Sequence, residues 1–209
     1  MKTLFPKLAV ASALALTIFA LPAQAASDKV ELLRDANRAV SDLKHDPAFA
    51  TAARMMDGAR AIYIVPKLVK GGFIFGAEGG EGVLLHRTGH GWSAPSFYDM
   101  GSASFGLQAG LEQAELVFII NSDRALAGIE HGNFKLGAGA GLTVVNLSSG
   151  AEGATTAHGG DMVVWTSGSG PYAGISFNGS VIKPDKDANA TATKGPEAEM
   201  LRKNLASVW

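Results

Sequence analysis

Residues 61–76 read AIYIVPKLVKGGFIFG, and this stretch decides the fold class. Its first five residues are apolar and mostly β-branched or aromatic, which favours a strand. Glycine then interrupts the apolar residues, which favours turns and bends. Short apolar strands broken by glycine continue to residue 182 at a spacing of about ten residues, which is typical of an antiparallel sandwich or barrel. The expected strands are residues 61–65, 73–76, 83–86, 104–109, 116–120, 135–138, 142–146, 162–166, 172–177 and 180–182.

Helical patterns flank this region on both sides. Residues 27–57 carry apolar side chains at helical spacing, with Ser27 as an N-cap and Pro47 at the start of a second helix. Residues 196–208 predict a terminal helix. Between the strands we expect one short helical turn stopped by Gly128. The sequence therefore predicts an α+β fold, a glycine-rich and mainly antiparallel sheet, barrel- or sandwich-like, with N-terminal helices and a C-terminal helix.

The glycine content needs a physical explanation. The chain has 209 residues and 26 glycines, and 24 of these lie between Gly71 and Gly179. Glycine weakens a strand unless it serves a turn with positive φ, a bulge or a close backbone approach, and we expect all three uses here. Residues 137–141 have almost no side chain to pack, so we expect a helix of this protein or a partner to lie against them.

Composition also excludes several classes of protein. There is no cysteine, which excludes disulfides, cysteine-ligated metals and cysteine nucleophiles. The formal net charge of −1 offers no basic field for nucleic acid, so we expect no nucleic-acid partner. Hydrophobic residues make up 47% of the chain and charged residues 18%, which are values typical of a globular protein with a packed core.

The first 25 residues resemble an export signal. Lys2 and Lys7 precede an apolar stretch at residues 8–19, and residues 22–25 give a small-residue cleavage pattern ending at Ala25. The apolar stretch is short for a membrane span, which needs about 20 residues. We therefore expect a signal peptide at residues 1–25, cleaved after Ala25, a single domain at residues 26–209, and a periplasmic or secreted protein.

Catalytic and cofactor motifs are weak. Residues 168–173 match a loose dinucleotide pattern, but a strand rather than a helix is expected to follow. His86 and His90 have metal-ligand spacing only on a helix, and the glycines around them favour a turn. Acidic residues such as Glu78, Glu81 and Asp161 are too common to identify a catalytic pair. We expect no catalytic residue, no metal and no cofactor, hence no enzyme.

Two pairs of basic residues are candidates for binding. Lys67 and Lys70 combine two ammonium groups with apolar neighbours and open glycine backbone, which would suit a lipid phosphate beside its acyl chain, although a solvated turn before a strand is the default interpretation. Arg34 and Arg38 lie four residues apart on the first predicted helix. That helix also carries acidic residues, so surface ion pairs are their alternative role.

Several longer motifs resemble one family. Residues 64–76, 80–83, 91–97, 101–110, 116–120 and 172–180 follow in order the motifs of the SYLF domain, also described as the Las17-binding actin-regulator domain. The resemblance covers residues 26–194, with a departure at residues 190–195, where the family's aromatic residues are missing. It implies phospholipid binding, with actin as a partner of fungal members. With the export signal, it indicates an exported bacterial member.

The resulting prediction is a non-enzymatic protein that binds anionic phospholipid or a membrane surface at the bacterial cell envelope. Its expected lipid-binding residues are Lys67 and Lys70 for headgroup phosphate, Arg34 and Arg38 as a second pair, and Trp92 as an interfacial anchor. The alternative is an envelope scaffold or protein-interaction module with an envelope protein as partner. The oligomeric state and the lipid stay open.

Overall fold

The computed structural model describes residues 21–47, 49–72, 75–105, 110–132, 134–136, 144–146, 161–167, 179–191 and 193–207. The helices among them are α1 (Leu21–His45), α2 (Phe49–Asp57), α3 (Asp123–Glu130) and α4 (Pro196–Ala206), with a 3-10 turn at Ala188–Ala190. The strands are β1 (Ala61–Gly72), β2 (Phe75–Thr88), β3 (Gly91–Trp92), β4 (Ser96–Phe105), β5 (Gly110–Ile120), β6 (Phe134–Lys135), β7 (Val144–Asn146), β8 (Met162–Thr166) and β9 (Val181–Pro184).

The strands form one curled sheet in the order β6-β9-β4-β2-β1-β5-β8-β7, with β3 paired to the end of β2. The paired strands are antiparallel except β7 and β8, which run parallel. The predicted α+β class with a mainly antiparallel, barrel-like sheet is confirmed, because the sheet curls into a half-barrel with the helices packed on it.

Both faces of the central strands are buried. This explains the continuous apolar runs at the start of β1 and at the end of β5. One face contributes Ile62, Ile64, Val117 and Ile119 to a cluster with α1, α2 and α4. The opposite face contributes Tyr63 and other side chains to a second cluster that includes α3. No helix of the described residues is long and apolar enough to cross a membrane.

β1 is longer than predicted because a bulge lets it pass through Pro66. Its pairing with β5 shifts register between Val65 and Leu68, and its pairing with β2 shifts between Ile64 and Val69. Proline is tolerated within a sheet at such a bulge, since no ladder hydrogen bond is lost there. Residues 66–70 are therefore strand, and the default interpretation of a solvated turn there is wrong. The predicted strand 83–86 is part of the 14-residue β2.

The helices differ from expectation at their ends. α1 starts at Leu21, so the prediction of Ser27 as its N-cap is wrong; the upstream residues are rich in alanine, a strong helix former. α3 has eight residues and runs through Gly128, where one short turn was predicted. Ser122 caps it by accepting a hydrogen bond from the Ala125 amide at 3.2 Å. Glycine at position 128 leaves room for the Phe134 ring, because a Cβ there would lie 2.7 Å from it.

Some of the remaining predictions agree with the structure, and others concern residues outside its described part. The strand at residues 162–166 and the terminal helix, observed at Pro196–Ala206, are confirmed. The strand expected at residues 172–177 and the stretch 137–141 lie outside the described residues, as do the first 20 residues. Close backbone approach is confirmed as one use of glycine: a Cβ on Gly82 would lie 2.6 Å from the Ile64 carbonyl oxygen.

Candidate functional site

An acidic groove lies between α1 and the sheet. It has two compartments of about 210 and 290 Å³ that share Asp28, Leu32 and Glu81. The groove is lined by seven carboxylates, which are those of Asp28, Glu31, Asp35, Glu81, Asp99, Asp185 and Asp187. Two lysines, Lys29 and Lys67, also line it. The groove is therefore strongly negative in a chain whose formal charge is only −1.

Four parts of the fold bring these carboxylates together. Asp28, Leu32 and Asp35 recur at helical spacing and lie on one side of α1. Glu81 on β2 lies directly opposite Asp99 on β4 in the antiparallel register. The segment after β9 closes the far wall of the groove with its own acidic side chains.

Asn189 holds that wall against β4. Its side-chain Oδ1 accepts a hydrogen bond from the Phe97 amide at 2.8 Å, and its Nδ2 donates to the Phe97 carbonyl at 2.7 Å. The Asp185 amide donates to the same carbonyl at 3.0 Å. The Asp185 carboxylate in turn accepts from the Asp187 and Ala188 amides at 3.0 and 2.9 Å, which orders the 3-10 turn. The wall is thus fixed by both side-chain and backbone hydrogen bonds.

The groove keeps its charge at an electrostatic cost. Burial raises the pKa of Glu81, and the nearby carboxylates of Asp99, Asp185 and Asp28 raise it further. Burial and then Asp185 raise the pKa of Asp99. These are the directions expected for partly desolvated carboxylates that face one another. A cation entering the groove would relieve this repulsion.

Lys29 shows how the groove holds a cation. Its ammonium group lies 5.4 Å from the centroid of the Phe97 ring and donates a hydrogen bond to the Ala188 carbonyl. The apolar side chain of Leu32 lines the same compartment. The site thus combines an aromatic face, a carbonyl and carboxylates, which together suit an amphipathic basic side chain.

The two predicted headgroup lysines lie on β1, and Lys67 lies among carboxylates. Lys67 is exposed at the β1 bulge and lines the groove with Glu31, Glu81 and other acidic residues. Lys70 is the direct register partner of Glu78 on β2 and of Glu112 on β5. An anionic headgroup approaching Lys67 would also approach the carboxylates of Glu31 and Glu81.

The two predicted arginines are in ion pairs. Arg34 reaches Glu197 on α4 at 2.9 Å, and Arg38 reaches Asp35 on its own helix at 2.9 Å. The alternative of surface ion pairs describes this geometry. The first pair links α1 to α4, which the sequence alone did not suggest.

The role of interfacial anchor does not fit the position of Trp92. Its side chain is buried in the cluster beneath the helices, with 2% of the residue exposed. The Arg87 guanidinium lies 4.3 Å from its ring centroid, and Arg202 of α4 donates a hydrogen bond to its carbonyl at 2.8 Å. Short strand β3 pairs with the end of β2 and so places the ring inward. Trp92 therefore belongs to the core.

The histidines and acidic residues considered for metal or catalytic chemistry lie, with one exception, outside the lining of the groove. No group of three His, Asp or Glu side chains within it has the geometry to hold a metal ion. His90 lies in the turn between β2 and β3, and the glycines beside it in the sequence had predicted a turn. Glu81 lines the groove, but His86, His90, Glu78 and Asp161 are not among its lining residues.

Comparison with known proteins gives one family and several relatives. Residues 101–205 match the family model described as Ysc84, Las17-binding protein actin regulator. Protein YSC84 of Saccharomyces cerevisiae is 35% identical over 136 residues, 63% of this chain and 29% of that protein. LAS seventeen-binding protein 3 of the same species is 34% identical over 127 residues, 58% of this chain and 28% of that protein.

A mammalian protein aligns over a longer stretch. SH3 domain-containing YSC84-like protein 1 of Bos taurus is 31% identical over 167 residues, which is 78% of this chain and 48% of that protein. The chain therefore spans less than half the length of each of these three relatives. No solved structure is a significant match.

Proposed function

The chain belongs to the Ysc84, or SYLF, family of Las17-binding actin regulators, and from that membership we propose that it is a non-enzymatic binding domain whose acidic groove receives a basic segment of a partner protein. The observation that carries this function is the groove itself, which is lined by two lysines and by seven carboxylates, one of them paired with Arg38. The name of LAS seventeen-binding protein 3 supports a protein as the class of partner. The identity of the partner of this chain is a separate question.

Electrostatics favour a cationic ligand by a useful margin. Two unit charges about 4 Å apart attract by about 1 kcal/mol in water and about 4 kcal/mol near a protein surface with an effective dielectric constant of about 20. Glu81 and Asp99 are exposed, so solvent partly screens their charges, and the raised pKa of each reflects partial burial and the carboxylates nearby. Two or three bound basic side chains would give affinity that falls as salt is added.

The Lys29 contacts support the chemistry of the proposed ligand. Lys29 already lies beside the Phe97 ring, and a lysine or arginine of the partner would lie among the neighbouring carboxylates as the Lys29 ammonium does. The half-buried side chain of Leu32, which lines both compartments, would accept the aliphatic part of such a side chain. An extended segment with spaced basic residues would therefore fit better than a single free cation.

Anionic phospholipid at the bacterial envelope is the second candidate function. In its favour, Lys67 is exposed on the surface of β1, and the export signal expected at residues 1–25 would deliver the chain to an envelope. Basic groups near an anionic surface contribute about 1 kcal/mol each. The carboxylates beside Lys67 oppose this attraction, which is why the protein partner is preferred.

One experiment with four ligands tests the proposal. Calorimetry would measure binding of the full chain to a lysine- and arginine-rich peptide of about ten residues and to a glutamate-rich peptide of equal length. Flotation would measure binding to vesicles of neutral and of anionic phospholipid. We expect binding of the basic peptide, weakened several-fold by about 0.5 M salt. Equal affinity for both peptides, or binding to anionic vesicles in place of the basic peptide, would overturn the proposal.

A further inference from the structure

Lys29 places a cation of the protein's own inside the acidic groove. Among the described residues that line the compartment of about 210 Å³, it is the only basic one. Its ammonium group lies 5.4 Å from the centroid of the Phe97 ring and donates a hydrogen bond to the Ala188 carbonyl. Lys29 belongs to α1, Phe97 to β4 and Ala188 to the 3-10 turn, so one half-buried side chain joins three walls of the compartment.

These contacts are the ones that a cation from outside the protein would need. A cation is attracted to the face of an aromatic ring within about 6 Å of its centroid. Phe97 offers that face, and the Ala188 carbonyl offers an acceptor beside it. Two cations cannot share the same ring face and the same acceptor without repelling each other. A basic side chain of a partner must therefore displace the Lys29 ammonium before it can make these contacts.

The competition lowers the affinity for any basic segment. Lys29 is covalently attached next to the site, so its effective concentration there is far above that of a dissolved peptide. A ligand that binds only the state in which the site is vacant has its apparent affinity reduced by the population of that state. A partner lysine would replace one ammonium with another and gain nothing from the exchange.

An arginine of the partner differs from a lysine in this exchange. Its planar guanidinium group stacks on an aromatic ring, is more weakly hydrated than an ammonium and carries five N–H donors in a fixed arrangement. These donors can reach the Ala188 carbonyl and a carboxylate of the compartment at the same time, and bidentate contacts of this kind are strong. The chemistry of the site thus favours arginine as the group that displaces Lys29.

The displaced side chain has a place to go. Lys29 also lines a neighbouring cavity of about 380 Å³ between α1 and the start of α4. Asp187 lines both this cavity and the compartment that contains Phe97, and Glu197 lies on the α4 side of the cavity. The ammonium group could therefore leave the ring and still lie near carboxylates, so its release would not bury an unpaired charge.

We propose that Lys29 is an internal competitor for the acidic groove and that an arginine of the partner segment displaces it. The inference rests on the proposed function and adds the regulation of the same site and the identity of the displacing side chain. In the free protein Lys29 occupies the ring and the Ala188 carbonyl. A segment whose basic residues are all lysine binds the outer carboxylates and leaves Lys29 in place.

Calorimetry on variants of the full chain tests the competition. The ligand is an arginine-rich peptide of about ten residues. Lys29→Met keeps an unbranched side chain and vacates the site, and we expect it to bind the peptide about tenfold more tightly than the parent chain. Lys67→Met is the matched control, because it removes the same charge from an exposed position of the same groove. We expect its gain to stay within about threefold. Lys29→Arg refills the site and should bind no more tightly than the parent.

Nuclear magnetic resonance of the parent chain tests the displacement itself. The Phe97 ring current shifts the resonances of the Lys29 side-chain methylene protons that lie near it. These resonances are assigned by their disappearance in Lys29→Arg. On saturation with the arginine-rich peptide we expect them to move to the values of a solvent-exposed lysine. A lysine-rich peptide of equal length and charge should leave them unchanged.

Three results would overturn the inference while the proposed function stands. They are equal gains in Lys29→Met and Lys67→Met, which would leave only a general effect of charge; weaker binding by Lys29→Met with native circular dichroism; and unshifted Lys29 resonances in the saturated arginine complex. No binding of the arginine-rich peptide to any of the four proteins would instead overturn the proposed function, and the inference with it. The resonance measurement uses the parent chain, so it decides the question even if Lys29→Met folds poorly.

Discussion

Glu81 and Asp99 face each other directly across β2 and β4, inside the groove that α1 covers. Like charges at directly opposed positions of an antiparallel pair destabilise the sheet. Burial is the larger cause of the raised pKa of each, and neighbouring carboxylates add to it. The pair is therefore unfavourable in the unliganded protein and becomes favourable when a cation lies between the two side chains. This relationship underlies the proposed binding of a basic segment.

Glu81→Gln should stabilise the unliganded protein near pH 7. The amide keeps the shape of the side chain and removes one of two opposed charges, so we expect a gain on the order of 0.5 kcal/mol, the scale of a cross-strand pair. Urea denaturation would measure the free energy of unfolding. Glu31→Gln, an exposed groove residue on α1, is the control and should change stability less. A loss of stability in Glu81→Gln alone would contradict this account.

Stability should depend on pH through the same two carboxyls. Because their folded pKa values are raised, the folded state binds these protons more tightly than the unfolded state does. The penalty is present above the folded pKa values and disappears as pH falls through them. As pH falls from about 7 toward the ordinary carboxyl pKa values of about 4, Glu81→Gln/Asp99→Asn should therefore gain less stability than the parent chain, measured by urea midpoints. An identical pH profile for both proteins would remove the like-charge explanation.

Gly82→Ala should lower stability by about 1–3 kcal/mol, the usual cost of forcing extra volume into a packed site. The added Cβ would lie 2.6 Å from the Ile64 carbonyl oxygen and 2.6 Å from the Tyr63 ring. Gly89→Ala is the matched control, because a Cβ there meets nothing within 4 Å. Thermal unfolding should separate the two variants clearly. Equal unfolding temperatures would mean that β1 and β2 can move apart at Gly82.

Asn189→Ala should loosen the groove wall. It removes both side-chain hydrogen bonds to the Phe97 backbone, and leaving such groups unpaired costs about 1–3 kcal/mol. We expect faster hydrogen exchange at the Phe97 amide and weaker binding of the basic peptide. Asn189→Asp keeps an acceptor for the amide and should protect it better than alanine does. Unchanged exchange in Asn189→Ala would show that the Asp185 amide bond alone holds the wall.

Much of the fold could be predicted from the sequence, because several strands and helices follow from the local spacing of apolar residues. The apolar strand Leu116 to Ile120 is buried on both faces, and the terminal helix begins at Pro196 as the sequence indicates. The predicted first strand ended at residue 65, before Pro66. The bulge that admits Pro66 depends on the pairing of neighbouring strands, which the local sequence does not indicate. Trp92 likewise looked suited to an interface, but its burial comes from the packing of α4 over β3.

The groove could not be read from the sequence in the same way. Asp28 and Asp35 showed a helical spacing, but Glu81, Asp99 and Asp185 are separated by 18 and 86 residues along the chain. Only the register of β2 with β4 and the hydrogen bonds of Asn189 bring them together. Aspartate and glutamate are so common in protein sequences that these residues alone did not predict a binding site. The candidate binding residues Lys67, Arg34 and Arg38 lie beside carboxylates in the folded protein.

The most direct test of the acidic groove compares two variants that lose the same charge. Glu81→Gln/Asp99→Asn removes two groove carboxylates, and Asp57→Asn/Glu130→Gln removes two exposed carboxylates elsewhere. Calorimetry with the lysine- and arginine-rich peptide should give about tenfold or greater weakening for the groove variant, or about 1.4 kcal/mol. The control variant should bind within about twofold of the parent chain. Equal weakening in both variants would show that net charge alone attracts the peptide and would contradict the proposed site.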